Sequence, residues 1–378
     1  MKIKIDAKEL EEVIKTSAQA ISSRPINAES ECVYLEVSSE KGVPAMLAQA
    51  KDSGIIIRKT TDRLTVIEDG YALIPAKTIL AFLKLMDGEV TLTVDDKLKC
   101  TVKCGGKKSV IACLDAEDYV SDFTFLREEK MVKMNGVDFE RIVLSTAHCV
   151  STDQGRLILT GINFAFDSVS GICEGTAISG FTLAQLKAKA ETNDTFNVTI
   201  PATTAKLIAK CISGKEGVSF RFSNGLMIVE AYDITIQAPL LSGQYMDIPK
   251  FIMRTGKMNV KANAQDMLEA VRMALIAAQG ADKWLIVLNF AKEGTMTVNA
   301  RCVQTEADAD VACDVYGEME NGAKEIAFNG VYLESTLKAS LEYSEEVSIM
   351  LNRASSSIAM TPLNNDSFYQ MVLPVRRA

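Results

Sequence analysis

The sequence contains a single histidine, His148, in the stretch LSTAHCV. Ser–His or Cys–His catalysis would have to rest on that one imidazole, and a structural role is the stronger expectation. The spacings GxGxxG, HExxH and GxSxG do not occur, which removes the common dinucleotide, zinc-protease and hydrolase sites. CGGKKS (104–109) lacks the earlier glycine of a phosphate loop and lies between two strand-like runs, so it predicts a hairpin turn. Cys100 and Cys104 have no second pair of similar spacing. On a strand they share one face, as core or edge thiols and not as zinc ligands. Paired carboxylates at Glu11-Glu12 and Asp95-Asp96 fall on helix or turn positions where solvation explains them. No cofactor, no metal and no catalytic residue is expected.

Long apolar runs are also missing. KWLIVLNFA (283–291) is only strand-length, so no membrane span is expected. MKIKIDAKELEE at the start has no apolar core of a signal peptide. Nine cysteines, scattered through apolar stretches, read as reduced, buried thiols of a cytoplasmic protein. The matches to N-x-S/T at Asn193, Asn197 and Asn365 are then chance. The net charge of −8 argues only weakly against a nucleic-acid partner, because a local basic surface decides such binding.

What the chain does contain is an echo. IPAKTILAFLKLMDG (74–88) returns as IPATTAKLIAKCISG (200–214), with the prolines 126 residues apart (201 minus 75), one third of 378. The third copy is IAFNGVYLESTLKASLE (326–342), with Ala327-Phe328-Asn329 set against Ile-Pro-Ala. A second motif also recurs. Asp6, Asn135 and Asn263 stand as helix caps 129 and 128 residues apart. Apolar stripes follow each: Leu10, Val13 and Ile14; Val137, Phe139, Ile142, Val143 and Leu144; Met267, Leu268, Val271 and Leu275. Period-2 runs with turns at Asp95-Asp96, Ser223-Asn224-Gly225 and Asn352-Arg353-Ala354 close each third. A period this long marks whole domains in tandem. The expected fold is α+β, with three copies of two helices on antiparallel sheets. The domains would run 1–125, 126–253 and 254–378, joined at 124–131 and 252–259.

Basic residues stand outside the apolar stripes of all six repeated helices. They are Lys8 and Lys15, Lys77 and Lys84, Arg141, Lys206 and Lys210, Arg272, and Lys338. Each alone is a solvated charge; together they suggest helices facing a polyanion. No aromatic or base-reading pattern accompanies them, so contact would be to phosphates and indifferent to sequence.

In this layout the chain resembles the bacterial sliding clamps, the β subunits of DNA polymerase III. The likeness rests on SSRPI (22–26), IPAKTILAFLKLMDG, ACLDAEDYVSDF (112–123), FNGVYLESTLKA (328–339) and the ending YQMVLPVRRA (369–378). It implies a head-to-tail homodimer, a ring of six domains whose helices line a hole for duplex DNA. SVIACL (109–114) would be the edge strand of the subunit contact. The resemblance gives Arg24 a DNA-contact role and the helix cations an electrostatic one. It also implies a partner-peptide cleft formed by Leu159, the strand of Gly161, Gly180, Leu183, Met246, Asn329, Tyr332 and the tail Met371, Val372, Leu373, Pro374, Val375 and Arg376. The implied partners are the replicative polymerase, the clamp loader and other DNA-processing proteins carrying a clamp-binding peptide.

The sequence departs from the family at ISGFTL (178–183), which lacks the His and Arg of the cleft wall. It departs again at Met246 in a proline's place, at Leu157-Ile158 where an aromatic pair is usual, and at the last two residues, Arg377-Ala378. The implied function is a processivity factor without an active site; the alternative is a tandem-domain scaffold that does not encircle DNA.

Overall fold

The computed structural model describes residues 1–22, 24, 27–39, 43–117, 119, 123–124, 129–223, 225–279 and 284–376. Among the stretches singled out above, Ser23, Pro25, Ile26, residues 118, 120–122 and 125–128, Asn224, Lys283, Arg377 and Ala378 lie outside it.

The first third runs β1 (Lys2–Asp6), α1 (Ala7–Ser17), β2 (Cys32–Ser38), β3 (Ala45–Asp52), β4 (Ile55–Thr61), β5 (Leu64–Glu68), β6 (Gly70–Pro75), α2 (Ala76–Leu83), β7 (Glu89–Val94), β8 (Lys99–Cys104) and β9 (Lys107–Ala112). The order returns as β10 (Lys130–Met134), α3 (Gly136–Thr146), β11 (Gly161–Asp167), β12 (Ile172–Ile178), β13 (Thr182–Lys189), β14 (Glu191–Thr192), β15 (Phe196–Pro201), α4 (Ala202–Ile212), β16 (Val218–Ser223), β17 (Leu226–Ala231) and β18 (Ile234–Pro239). It returns again as β19 (Met258–Asn263), α5 (Ala264–Ala277), β20 (Leu285–Asn289), β21 (Thr295–Arg301), β22 (Glu306–Gly317), β23 (Glu325–Asn329), α6 (Gly330–Leu341), β24 (Glu346–Leu351), β25 (Ile358–Pro362) and β26 (Phe368–Val372).

Local chemistry starts the helices where the sequence predicts. Asp6 accepts the Lys8 and Glu9 N–H groups, and Asn263 those of Gln265 and Asp266, each such cap being worth about 1 kcal/mol. Asn135, the middle member, accepts instead from the Gly217 N–H at 3.2 Å. β6, β15 and β23 end at Pro75, Pro201 and Asn329, so Asn329 is the counterpart of the prolines, one residue later than the sequence alignment put it. Proline fixes φ at the head of a helix; Asn329 does the same job by capping, accepting the Val331 N–H at 3.0 Å. The stripe of α3 needs a further correction. Phe139, Ile142 and Val143 are buried, but Val137 and Leu144 are 46% and 63% exposed. The β8–β9 turn is the hairpin predicted for CGGKKS, with Gly105 at φ +54.

Two compact units emerge. The first comprises Met1–Val137, Glu191–Asp194 and Leu207–Leu240, the second Asp138–Ala190, Thr195–Lys206 and Leu241–Ala378. The first holds a five-stranded sheet, β5-β1-β7-β8-β9, and a nine-stranded sheet, β14-β10-β16-β17-β18-β4-β3-β2-β6. The second holds twelve strands, β15-β11-β12-β13-β26-β25-β24-β19-β22-β21-β20-β23. Strands of different thirds therefore share a sheet inside each unit: β18 pairs with β4, and β26 with β13, both antiparallel. In the first unit the β18–β4 pairing carries a charged cluster. The buried Lys59 ammonium meets Asp233 at 2.5 Å, and Lys215 meets the same carboxylate at 2.7 Å. Burial alone would raise the Asp233 pKa, but the bonds from Lys215 and Lys59 leave it lowered.

Gly136 shows how tightly the first turn of α3 is placed. Its N–H donates to the Lys215 carbonyl at 2.8 Å, and a Cβ there would lie 2.0 Å from the Ile212 carbonyl oxygen. Backbone cannot yield as a side chain can. Gly136→Ala is expected to cost about 3 kcal/mol, the upper part of the range for overpacking, read as a lowered thermal midpoint by circular dichroism.

Candidate nucleic-acid interface and partner cleft

The ten cations predicted to meet a polyanion are all exposed, but their surroundings separate them. Lys15, Lys77, Lys84, Lys206, Lys210 and Arg24 have no ion pair among the described residues. Lys8 lies 3.4 Å from Asp87, and Arg141 lies 4.0 Å from Asp138. Arg272 and Lys338 share one carboxylate, Glu334, at 3.1 and 2.7 Å. Those bonds, Lys338's first, hold the Glu334 carboxyl below its usual range. Helix composition sharpens the contrast. α2 and α4 contain no acidic residue, whereas α1, α3, α5 and α6 each carry acids among their cations.

In the second unit a cluster of apolar groups forms where β13 pairs with β26. Leu183 stands opposite Met371 and Thr182 opposite Val372. Leu159, Ile178 and Ile248 join Leu183 and Met371 as a buried cluster, flanked by Ile158, Tyr245, Phe251 and Tyr369. Leu159 arrives on a 3₁₀ turn (Gln154–Thr160) whose start is fixed by Asp153 accepting the Gly155 N–H at 2.8 Å. Tyr245 donates to the Thr176 carbonyl, and Tyr369 accepts the Met253 N–H at 2.9 Å. Burial pushes both phenols up, so they act as neutral struts at all ordinary pH.

The rim of this cluster is set by the turn between β12 and β13. Gly180 adopts φ +95, a conformation suited to glycine, while the Ser179 hydroxyl accepts the Thr182 N–H. That turn presents Phe181, 57% exposed, whose ring stacks on Tyr332 at 5.8 Å with the planes 18° apart. The tail then runs past them: the Leu373 N–H donates to the Phe181 carbonyl and the Val375 N–H to the Ala327 carbonyl, both at 2.8 Å. Pro374, Val375 and Arg376 also line a cavity of about 530 Å³ with Ala327, Glu320 and Arg353.

Leu159, Gly180, Leu183, Tyr332 and the tail thus lie in one neighbourhood. Their roles differ from a uniform lining, however. Leu159, Leu183, Met371 and Val372 are buried floor, while Tyr332, Leu373, Pro374 and Val375 are partly open. Asn329 spends its side-chain oxygen on the α6 cap. Met246 is exposed beside Tyr245. Sequence reading missed Phe181 as a site residue, although an aromatic directly after a turn glycine was a usable signal. It also missed Ile248, which arrives on a 3₁₀ turn (Ile248–Phe251), and Tyr369, placed by the pairing of β26 with β13.

His148 follows α3 on a 3₁₀ turn (Ala147–Cys149). Burial lowers its pKa to about 4, an effect partly offset by the Gln370 side chain, so the ring is uncharged at neutral pH. Cys100 and Cys104 are buried on β8. No helix is long and apolar enough to cross a membrane among the described residues.

The family model described as DNA polymerase III beta subunit, central domain, matches residues 133–247. The beta sliding clamp of Staphylococcus epidermidis is 24% identical over 381 residues, covering 99% of this chain and 91% of its own length. The structure of the DNA polymerase beta subunit from Streptococcus pyogenes superposes with a TM-score of 0.90 at 19% identity, and the DNA polymerase sliding clamp from Bacillus subtilis with 0.88 at 21%, each over the whole of both chains.

Proposed function

We infer that this chain, a member of the DNA polymerase III beta-subunit family, is a DNA sliding clamp. It is a processivity factor without an active site of its own, working in replication in the cytoplasm. Two copies close head to tail into a ring around duplex DNA, three domains (1–125, 126–253, 254–378) from each. The cations of the inner helices meet phosphates through screened contacts that permit sliding. Polymerase, clamp loader and other partners dock peptides at the rim of Phe181, Tyr332 and the tail.

One observation carries the ring: the way the thirds join within the chain. β9, β18 and β26 are the last strands of their thirds. β4, β13 and the first half of β22 are likewise equivalent, because each is followed by a segment pairing with its own first strand (β5 with β1, β14 with β10, the second half of β22 with β19). β18 takes β4 and β26 takes β13. By the same rule β9 should take β22, yet β9 ends its sheet. The first half of β22 also pairs only with β21 among the described strands. Such an edge is a template for another strand. The two edges are complementary, β9 offering Lys107 and Lys108, and β22 offering Glu306, Asp308 and Asp310, all exposed. One copy's β9 on the other's β22, twice over, closes a cyclic dimer.

The test is retention after loading on a nicked circular plasmid. A clamp stays until the circle is linearised and then leaves within seconds. Equal loss from both forms would instead favour the non-encircling scaffold. His148→Ala should leave retention unchanged.

A further inference from the structure

Resting on the clamp reading above, we propose that the DNA backbone is carried chiefly by Lys77, Lys84, Lys206 and Lys210 of α2 and α4, and that Glu334 holds the third domain's cations off the DNA. α2 with its cap residue Lys84, together with α4, presents four cations and no carboxylate. α5 and α6 present Arg272 and Lys338 against Asp266, Glu269 and Glu334. With the cap residue Glu342 of α6 counted as Lys84 is, two cations face four carboxylates there.

The geometry makes Glu334 more than a neighbouring charge. It lies one turn before Lys338 on α6 and reaches across to Arg272 on α5, so a single carboxylate engages both cations. A phosphate that approached either would have to displace an existing charge-assisted bond. Free lysines on α2 and α4 have only water to give up. Each phosphate truly neutralised releases counterions and steepens log Kobs against log[salt] by about 0.9. Glu334 therefore keeps one sector of the inner surface from adding to the grip, which favours sliding over capture.

The opposing possibility is that Glu334 is only a strut between α5 and α6. The two ideas differ in sign. Binding of the purified homodimer to a 30-base-pair fluorescent duplex, followed by anisotropy from 25 to 200 mM NaCl, reads the difference. Glu334→Gln is expected to tighten binding at least threefold and to steepen the salt slope. Arg272→Ala and Lys338→Ala should change wild-type binding less than twofold, yet each should reverse part of the gain in the Glu334→Gln background. Lys77→Ala and Lys206→Ala should each weaken binding severalfold and flatten the slope.

A strut predicts a lower thermal midpoint for Glu334→Gln with no tighter binding, and that result overturns the proposal. So does an Arg272→Ala loss as large as that of Lys206→Ala, which can be read even if Glu334→Gln fails to fold. If the wild-type chain is not retained on nicked circles, the clamp reading itself fails. Retention with a silent Glu334→Gln sinks only this inference.

Discussion

An Ile276→Lys variant is expected to sediment as a monomer near 41.1 kDa, and the parent chain, if it forms the proposed ring, at twice that mass. Ile276 lies near the end of α5 and is 68% exposed, with Met273 exposed one turn earlier. The Thr305 hydroxyl donates to the Ala277 carbonyl at 2.7 Å, which fixes that helix end beside the start of β22. On the first third the arrangement repeats with opposite charge. Lys107 bonds the Leu85 carbonyl at the end of α2, and Phe82, Leu85 and Val110 are exposed around it.

Each edge strand thus stands beside a helix end with bare apolar groups, one set basic and one acidic. Burying an isoleucine contributes about 2 kcal/mol, and forcing an ammonium into the same place adds a desolvation cost of similar size. About 4 kcal/mol corresponds to roughly a thousandfold in dimer affinity. Sedimentation velocity at micromolar protein checks it. A variant that stays dimeric would place the subunit contact elsewhere. Because Ile276 is already exposed, its own domain should keep its thermal midpoint.

Phe181→Ala is expected to weaken binding of a labelled peptide from the organism's own replicative polymerase by about thirtyfold, with the dimer and its stability intact. Aromatic anchors that become desolvated against a partner are frequent hot spots, worth about 2 kcal/mol or more each. The Phe181 ring is stacked on Tyr332 and its carbonyl is tied to Leu373, so it is held in place before a peptide arrives. That lowers the entropy lost on docking. Tyr332→Ala should lose a comparable amount, and the double variant less than the sum, because the rings support each other. An unchanged affinity in Phe181→Ala would remove the aromatic pair from the cleft. Isothermal titration or anisotropy with purified variants decides the matter.

The comparison between sequence and fold follows from these residues. Asp6 and Asn263 could be read as caps because a cap acts within three residues of itself. The lysines of α2 and α4 could be read as exposed because a helix repeats its faces every few positions. Leu144 and Val137 could not be read as exposed, since an apolar residue beside a buried stripe looks the same whether or not anything covers it. The counterpart of the prolines was set at Phe328, one residue before Asn329, because only the end of β23 locates the head of α6.

What the sequence determined alone was therefore the order of elements, the threefold repeat, the helix starts at Asp6 and Asn263 and the polar faces, all set by interactions within a turn or along a strand. What tertiary structure decided was pairing. It joined β18 to β4 and β26 to β13, leaving β9 and the first half of β22 with open edges among the described strands. It stacked Phe181 on Tyr332 across 151 residues (332 minus 181). It gave Arg272 and Lys338 a shared carboxylate while leaving Lys77 and Lys206 without one among the described residues. Charge and exposure are properties of a residue and its near neighbours. Whether a charge is available depends on a partner standing anywhere in the chain, and only the folded chain brings that partner near.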